Sequence, residues 1–425
     1  MPTRAQTPAV PRLTYLRIKN YRALRDVEFR DLTPLTVLIG PNGSGKSTVL
    51  DALDFLAEAV GGDLVHAWEN KNRFRGMLTK GVEGDISFEL EFGGLLKSKA
   101  VNYSLVIREV ENRLIVISEK LVEKDRFGKP TRTFETESQN ESNDSRFKVI
   151  SRKSARGKTT KHPLGWGIGT EIDGISSGKA ESKINFLSEI QNSMQETATS
   201  FRIAISSYRY IHLTKDHLKG YSDNGPREKL SPNGDNLPNV LYYLHTKHPA
   251  VLEKIAAQMR RVVPGLADIV PEITSDERLL LRFKDAQFEK PLPAQYMSGG
   301  TMRLAALLTL LYETDASGLL GIEEPENELH PQLLYRLAEE FEKAAEKRQL
   351  FITTHSPLLL DALDPKQVWV MYRGKDGYSH AVRTADMPNV PELVEDGSML
   401  GYLWTSNTFT VGDPRTPFKA NPDAR

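Results

Sequence analysis

The run Gly40-Pro41-Asn42-Gly43-Ser44-Gly45-Lys46-Ser47, followed by Thr48, has the residue types and spacing that bind a polyphosphate. A glycine-rich turn lets successive backbone N–H groups point inward at a dense anion, and a helix opening at its end adds positive partial charge. In this pattern the Lys46 ammonium reaches the β- and γ-phosphates and the Ser47 hydroxyl serves Mg²⁺, so ATP with Mg²⁺ is the expected ligand. Three further stretches carry chemistry that complements such a loop. Gly318 to Glu326 is apolar until it ends in Glu323 and Glu324. In phosphoryl transfer the first carboxylate of such a pair belongs on the Mg²⁺ shell and the second on the attacking water as base. Glu323 stands where Asp is usual, and its extra methylene must be absorbed by a small shift or by an intervening water. Ser298, Gly299 and Gly300 precede a helical run and serve either as an ordinary cap or as a helix N-terminus left open to an anion. Leu350 to Pro357 carries His355 at the C-terminal end of an apolar run, where ligands bind in open α/β sheets. A histidine there serves either a structural role or, at this distance after Glu324 with a helix between, as a γ-phosphate sensor.

These side chains need elements to hold them. Leu35 to Ile39 is a short apolar run stopped by Gly40 and Pro41, which predicts a buried strand. Val49, Leu50, Leu53, Leu56, Ala57 and Val60 recur at helical spacing, and Gly61-Gly62 ends that helix. The loop therefore lies between strand and helix. Leu13 to Phe29 reads as two strands joined by a turn near Ala23 to Asp26, and Asp85 to Leu121 reads as antiparallel hairpins. Glu123 to Ala180 turns polar and loses apolar periodicity, which predicts a long loop or irregular insertion. Helical signals return at Glu181 to Ser200 and Leu237 to Val263, and a hairpin at Ile269 to Phe283. From Met297 helices and strands alternate, as in a parallel α/β layer. The expected divisions are a tail at 1–12, two halves of one head at 13–122 and 266–385, an inserted polar and helical lobe at 123–265, and a docking segment and tail at 386–425. Tyr208, Tyr210 and His212 read as core or packing positions, and His245 with His248 as surface residues.

Composition narrows the classes. The 425 residues carry 56 basic and 56 acidic side chains, so no global attraction to nucleic acid or anionic membrane follows. The chain has no cysteine, which excludes disulfides, thiol catalysis and cysteine-ligated zinc and fits a reducing cytoplasm. The N-terminus lacks the apolar segment of a secretory signal. No stretch approaches the roughly 20 apolar residues of a membrane-spanning helix. A cytoplasmic protein without a membrane partner is the expectation.

In this order the four motifs resemble the head of ABC-type ATPases. The ending Glu323-Glu-Pro-Glu-Asn-Glu-Leu-His-Pro331, the stretch Thr353-Thr-His-Ser-Pro357 and the opening Leu16-Arg-Ile-Lys-Asn-Tyr-Arg22 look like its RecF/SMC/OLD branch, as does Gly234-Asp-Asn-Leu-Pro238. The resemblance implies an α/β fold, with a mixed sheet, an antiparallel subdomain, a parallel core and an inserted lobe. It implies that Ser298, Gly299 and Gly300 of one subunit face the γ-phosphate held by another subunit's loop, in a homodimer or a higher even oligomer. By the same resemblance Arg22 approaches the nucleotide and Asn327 to His330 cross the interface. The branch's coupling glutamine is missing, since no Gln stands between Lys46 and Ser138. No residue is assigned to that role. Relatives with a fused nuclease carry a Toprim domain after the head; the segment after His355 is too short for one and shows no DxD pair, so an ATPase without nuclease activity is expected.

Two readings of the role stay open. One is a stand-alone RecF/OLD-like ATPase in DNA maintenance or antiviral defence, working with a separate effector. A basic run at Arg146, Lys148, Arg152, Lys153, Arg156, Lys158 and Lys161 serves it either as a phosphate contact or as nothing more than a solvated insertion. The other is an ATP-dependent scaffold that holds or regulates a partner toxin or nuclease without binding DNA.

Overall fold

The computed structural model describes residues 10–96, 99–125, 127–138, 145–151, 195–219, 222–223 and 225–413. It divides into two compact units. One comprises Met1–Leu32, Asp51–Tyr208 and Arg373–Ala381, the other Thr33–Leu50, Arg209–Tyr372 and Val382–Arg425.

The first unit is built on an antiparallel sheet. Its strands lie in the order Leu24–Arg30, Arg12–Tyr21, Ile86–Leu96, Lys99–Val110, Arg113–Lys124, Pro130–Ser138 and Ser145–Ser151. Period-two alternation fixes which face is covered. Ile86, Phe88, Leu90 and Phe92 are buried, and Leu16 and Ile18 of the neighbouring strand sit opposite Leu90 and Phe88. Tyr21, Phe55 and Phe88 form an aromatic cluster on that face. Further along, Phe201 of the helix Gln195–Ser206 packs edge-on against Phe92 at 5.6 Å. The polar stretch beginning at Glu123 differs from its sequence reading, because it adds two strands to this sheet before residue 152. The basic residues from Arg152 onward lie outside the described residues, as does 181–194.

The second unit contains the parallel layer. The strands Val368–Arg373, Leu35–Ile39, Gln349–Thr354, Leu319–Glu323 and Arg209–Ile211 lie side by side in that order, all parallel. Leu35–Ile39 and Gln349–Thr354 are buried at every position, which is why their apolar residues stand side by side instead of alternating with exposed polar ones. A smaller antiparallel sheet pairs Leu266–Ile273 with Arg278–Asp285, the expected hairpin. The helix Gly299–Leu311 is buried from Met302 to Leu311 and runs through the core with the helices Leu237–Lys247, Pro249–Arg260 and Leu334–Ala345. Leu400, Leu403 and Phe409 pack into the same core, so the segment read as a docking tail is integral to this unit as far as residue 413.

Candidate nucleotide-binding site

The parallel strands of the second unit deliver their C-terminal ends to one place. Leu35–Ile39 leads into the loop, and the helix opens at Lys46. Glycine is needed at two of the loop positions for separate reasons. A Cβ on Gly40 would lie 2.0 Å from the Met371 carbonyl oxygen, and Gly45 has φ +98°, in the left-handed region that side chains avoid. Lys46 is only 5% exposed. Its ammonium donates to the carbonyls of Gly40 at 2.9 Å and Pro41 at 3.1 Å. Burial pulls its pKa down to about 8, against the opposing pull of Glu324, Glu326 and Glu323. Ser44 Oγ is buried within the loop and has no hydrogen-bond partner among the described residues, the kind of orphan that a phosphate oxygen satisfies.

Glu323, the last residue of its strand, is held by three donors. Ser47 Oγ donates to its Oε1, and Tyr210 OH and the Nδ1–H of His212 (2.9 Å) donate to its Oε2. Burial alone would raise this carboxyl's pKa, but the three hydrogen bonds outweigh it and hold it below the usual range. The hydroxyl of Ser47 and the Glu323 carboxylate are hard oxygen donors in direct contact. That set fits Mg²⁺, which is commonly bound by one or two protein oxygens while phosphates and water complete its octahedron. Among the described residues no group of three or more His, Asp or Glu side chains is placed to hold a metal by itself.

Glu324 turns sharply away from the strand, with φ +42°. Its N–H donates to Thr353 O at 3.0 Å, and its carbonyl accepts from Arg303 Nη2 at 2.6 Å. Its carboxylate accepts from Asn327 Nδ2 at 2.9 Å and lies 3.3 Å from His355 Nε2. Burial, and then the charge on Lys46, lower the His355 pKa, against the opposing pull of Glu324 and Glu326. Glu326 accepts from Thr354 Oγ1 and from the His355 backbone N–H, both at 2.7 Å, which fixes the turn that presents His355.

The structure thus groups Lys46, Ser47, Glu323, Glu324 and His355 as the motif spacing predicts. Ser298 caps its helix, accepting from the Thr301 N–H at 3.1 Å. The glycines behind it have a local reason: a Cβ on Gly299 would meet Glu328 Oε2 at 1.9 Å, and one on Gly300 would meet the Glu328 carbonyl at 2.4 Å. Arg22 lies in the first unit, where its guanidinium pairs with Asp51 at 3.0 Å and donates to Gly76 O at 3.2 Å.

Three residues escaped the sequence reading. Tyr210 and His212 were expected in packing roles, yet both reach Glu323. Their i, i+2 spacing on a strand puts both on one face, a signal that was present. Arg303 is 5% exposed in an apolar helix, and it donates to the carbonyls of Leu213 (2.8 Å), Glu324 (2.6 Å) and Pro325 (3.3 Å). A lone charge inside an apolar helical run is its signature.

A phosphate loop on one parallel strand and a carboxylate pair on another, with the His355 strand between them, define a P-loop head of the ABC type. The chain belongs to the family described as "AAA domain, putative AbiEii toxin, Type IV TA system", whose model matches residues 35–361. It is similar to a protein named "Retron Ec83 probable ATPase" from Escherichia coli, at 23% identity over 86% of this chain and 72% of that one. A shorter likeness, 41% identity over 63 residues, links it to an OLD nuclease from Thermus scotoductus, covering 15% of this chain and 10% of that protein. Among solved structures, the SMC head domain from Thermotoga maritima aligns with a TM-score of 0.38 at 13% identity, over 88% of this chain and 98% of that one. Among the described residues no helix is long and apolar enough to cross a membrane.

Proposed function

We propose that this chain binds ATP with Mg²⁺ at Gly40 to Thr48 and hydrolyses it. The observation that carries the reading is the convergence of Lys46, Ser47, Glu323, Glu324 and His355 at the ends of three parallel strands. The Lys46 ammonium exchanges its two loop carbonyls for β- and γ-phosphate oxygens, and Ser44 Oγ gains a partner. Mg²⁺, held by Ser47 and Glu323, supplies charge neutralisation on the phosphates. Glu324 orients the attacking water and takes its proton, while His355 donates from Nε2 to the γ-phosphate. Ser298, Gly299 and Gly300 of a second copy complete the site, so the active form is a homodimer or a higher even oligomer.

The role proposed is in DNA maintenance or antiviral defence beside a separate effector, without nuclease activity in this chain. Similarity over most of the sequence to the protein named "Retron Ec83 probable ATPase" supports the ATPase part of that reading. The equal counts of acidic and basic residues favour a second reading, an ATP-dependent scaffold that restrains a toxin or nuclease without touching DNA. Phosphate release with and without duplex DNA separates them, since only the first expects salt-sensitive stimulation. Hydrolysis itself is tested by Glu324→Gln. Phosphate release should fall by about 10²- to 10⁴-fold while ATP still binds. A wild-type rate in that variant rules the mechanism out.

A further inference from the structure

Glu323 is one methylene longer than the aspartate common at its position, and a longer carboxylate has an extra rotatable bond to fix before it can serve a metal. The structure shows what fixes it. The strand Arg209–Ile211 pairs in parallel with Leu319–Glu323, setting Tyr210 opposite Gly321 and Ile211 opposite Ile322. From that register Tyr210 OH and, two residues on, His212 Nδ1 both reach the same oxygen, Oε2. The other oxygen, Oε1, is left with Ser47 Oγ. The Glu323 side chain is 14% exposed and that of His212 60%.

We infer that Tyr210 and His212 are positioning residues that tie off Glu323 Oε2, leave Oε1 beside Ser47 as the single metal-facing oxygen, and thereby select Mg²⁺ over larger divalent cations. The inference rests on the nucleotide site proposed above. A carboxylate restrained to one oxygen suits a small ion with strict octahedral geometry. A carboxylate free to swing can offer both oxygens, which suits Ca²⁺ with its six to eight ligands at longer distances. Outer partners of this kind orient a ligand, and removing them typically weakens metal binding by about 10- to 100-fold. Neither group touches the reacting phosphate in this account, so each acts through Glu323. An alternative role, stapling an edge strand to its neighbour, predicts lost stability but no change in ion preference.

The test measures binding, so it does not depend on turnover. The affinity of the full-length chain for a non-hydrolysable ATP analogue is titrated in EDTA and at rising Mg²⁺, Mn²⁺ and Ca²⁺. The proteins compared are wild type, Tyr210→Phe, His212→Gln and the double variant. Tyr210→Phe keeps the ring, and His212→Gln alters a largely exposed side chain. Affinity in EDTA should be the same in all four. The Mg²⁺ midpoint should rise about tenfold in Tyr210→Phe and further in the double variant, while the Ca²⁺ midpoint moves little, so the preference for Mg²⁺ narrows. An unchanged Mg²⁺ midpoint and Mg²⁺ to Ca²⁺ ratio in the double variant would overturn the clamp. So would a loss in EDTA as large as that in Mg²⁺, because the residues would then be shaping the loop. Wild-type protein whose affinity ignores Mg²⁺ would overturn the nucleotide reading itself, and the clamp with it.

Discussion

Lys46 is buried before any ligand arrives, and its titration has a readable consequence. Its pKa in the folded, nucleotide-free chain is about 8, well under the ordinary 10.5, because burial disfavours the ammonium. The unfolded chain therefore holds that proton more tightly. Lys46 works against folding below about pH 8, and the penalty fades as pH rises toward the ordinary value. Nucleotide binding has the opposite sense, since phosphates favour the charged form. Affinity for Mg²⁺–ATP should be flat up to about pH 8 and then fall about tenfold per pH unit. Titration calorimetry across pH 7 to 9.5 in buffers of differing ionisation heat, a range of about 2.5 units, checks it; a flat profile would mean that the ammonium does not meet the phosphates. At this scale the sequence was most legible where chemistry sits in a contiguous run. Lys46, Ser47, Glu323, Glu324 and His355 are set by motif and local spacing. Tyr210, His212 and Arg303 were not found, because each acquires its role through a partner distant in sequence. Tyr210 lies 113 residues from Glu323, and Arg303 lies 90 from Leu213.

Among the elements, the helix Gly299–Leu311 has two functions. Its first turn presents Ser298 and the glycine pair. One turn further in, Arg303 donates to the carbonyls of Leu213, Glu324 and Pro325 and so stabilises the left-handed backbone at Glu324. Losing that fork leaves the carbonyls of Leu213 and Pro325 without that donor, at about 1–3 kcal/mol each, while the Glu324 carbonyl keeps the Asn327 N–H at 3.2 Å. Arg303→Met should lower stability by about 3 kcal/mol in chemical denaturation. It should also reduce kcat more than it raises KM for ATP, with Arg303→Lys intermediate in both. A kcat equal to wild type in a folded Arg303→Met would show that Glu324 holds its turn unaided. Buried strands such as Leu35–Ile39 were plain in the sequence, since burial on both faces forces an apolar run. Pro130–Ser138 and Ser145–Ser151 were not, because Thr, Glu, Ser and Arg dominate them and backbone pairing alone reveals the strands.

For the whole molecule, the family match over residues 35–361 and the parallel layer agree with the fold expected from the four motifs. The division into two units was less legible, because neither unit is a continuous stretch of chain. In the function proposed above, a second copy finishes the site, with the Ser298 helix of one chain closing over the loop of another. Light scattering of Glu324→Gln tests it most directly, because a chain that binds ATP without hydrolysing it should accumulate in the closed state. With saturating Mg²⁺–ATP the mass should double, and a charge placed at the contact by Ser298→Arg should return it to that of one chain. Glu324→Gln that stays at the mass of a single chain under saturating Mg²⁺–ATP would mean that no second copy closes over the loop.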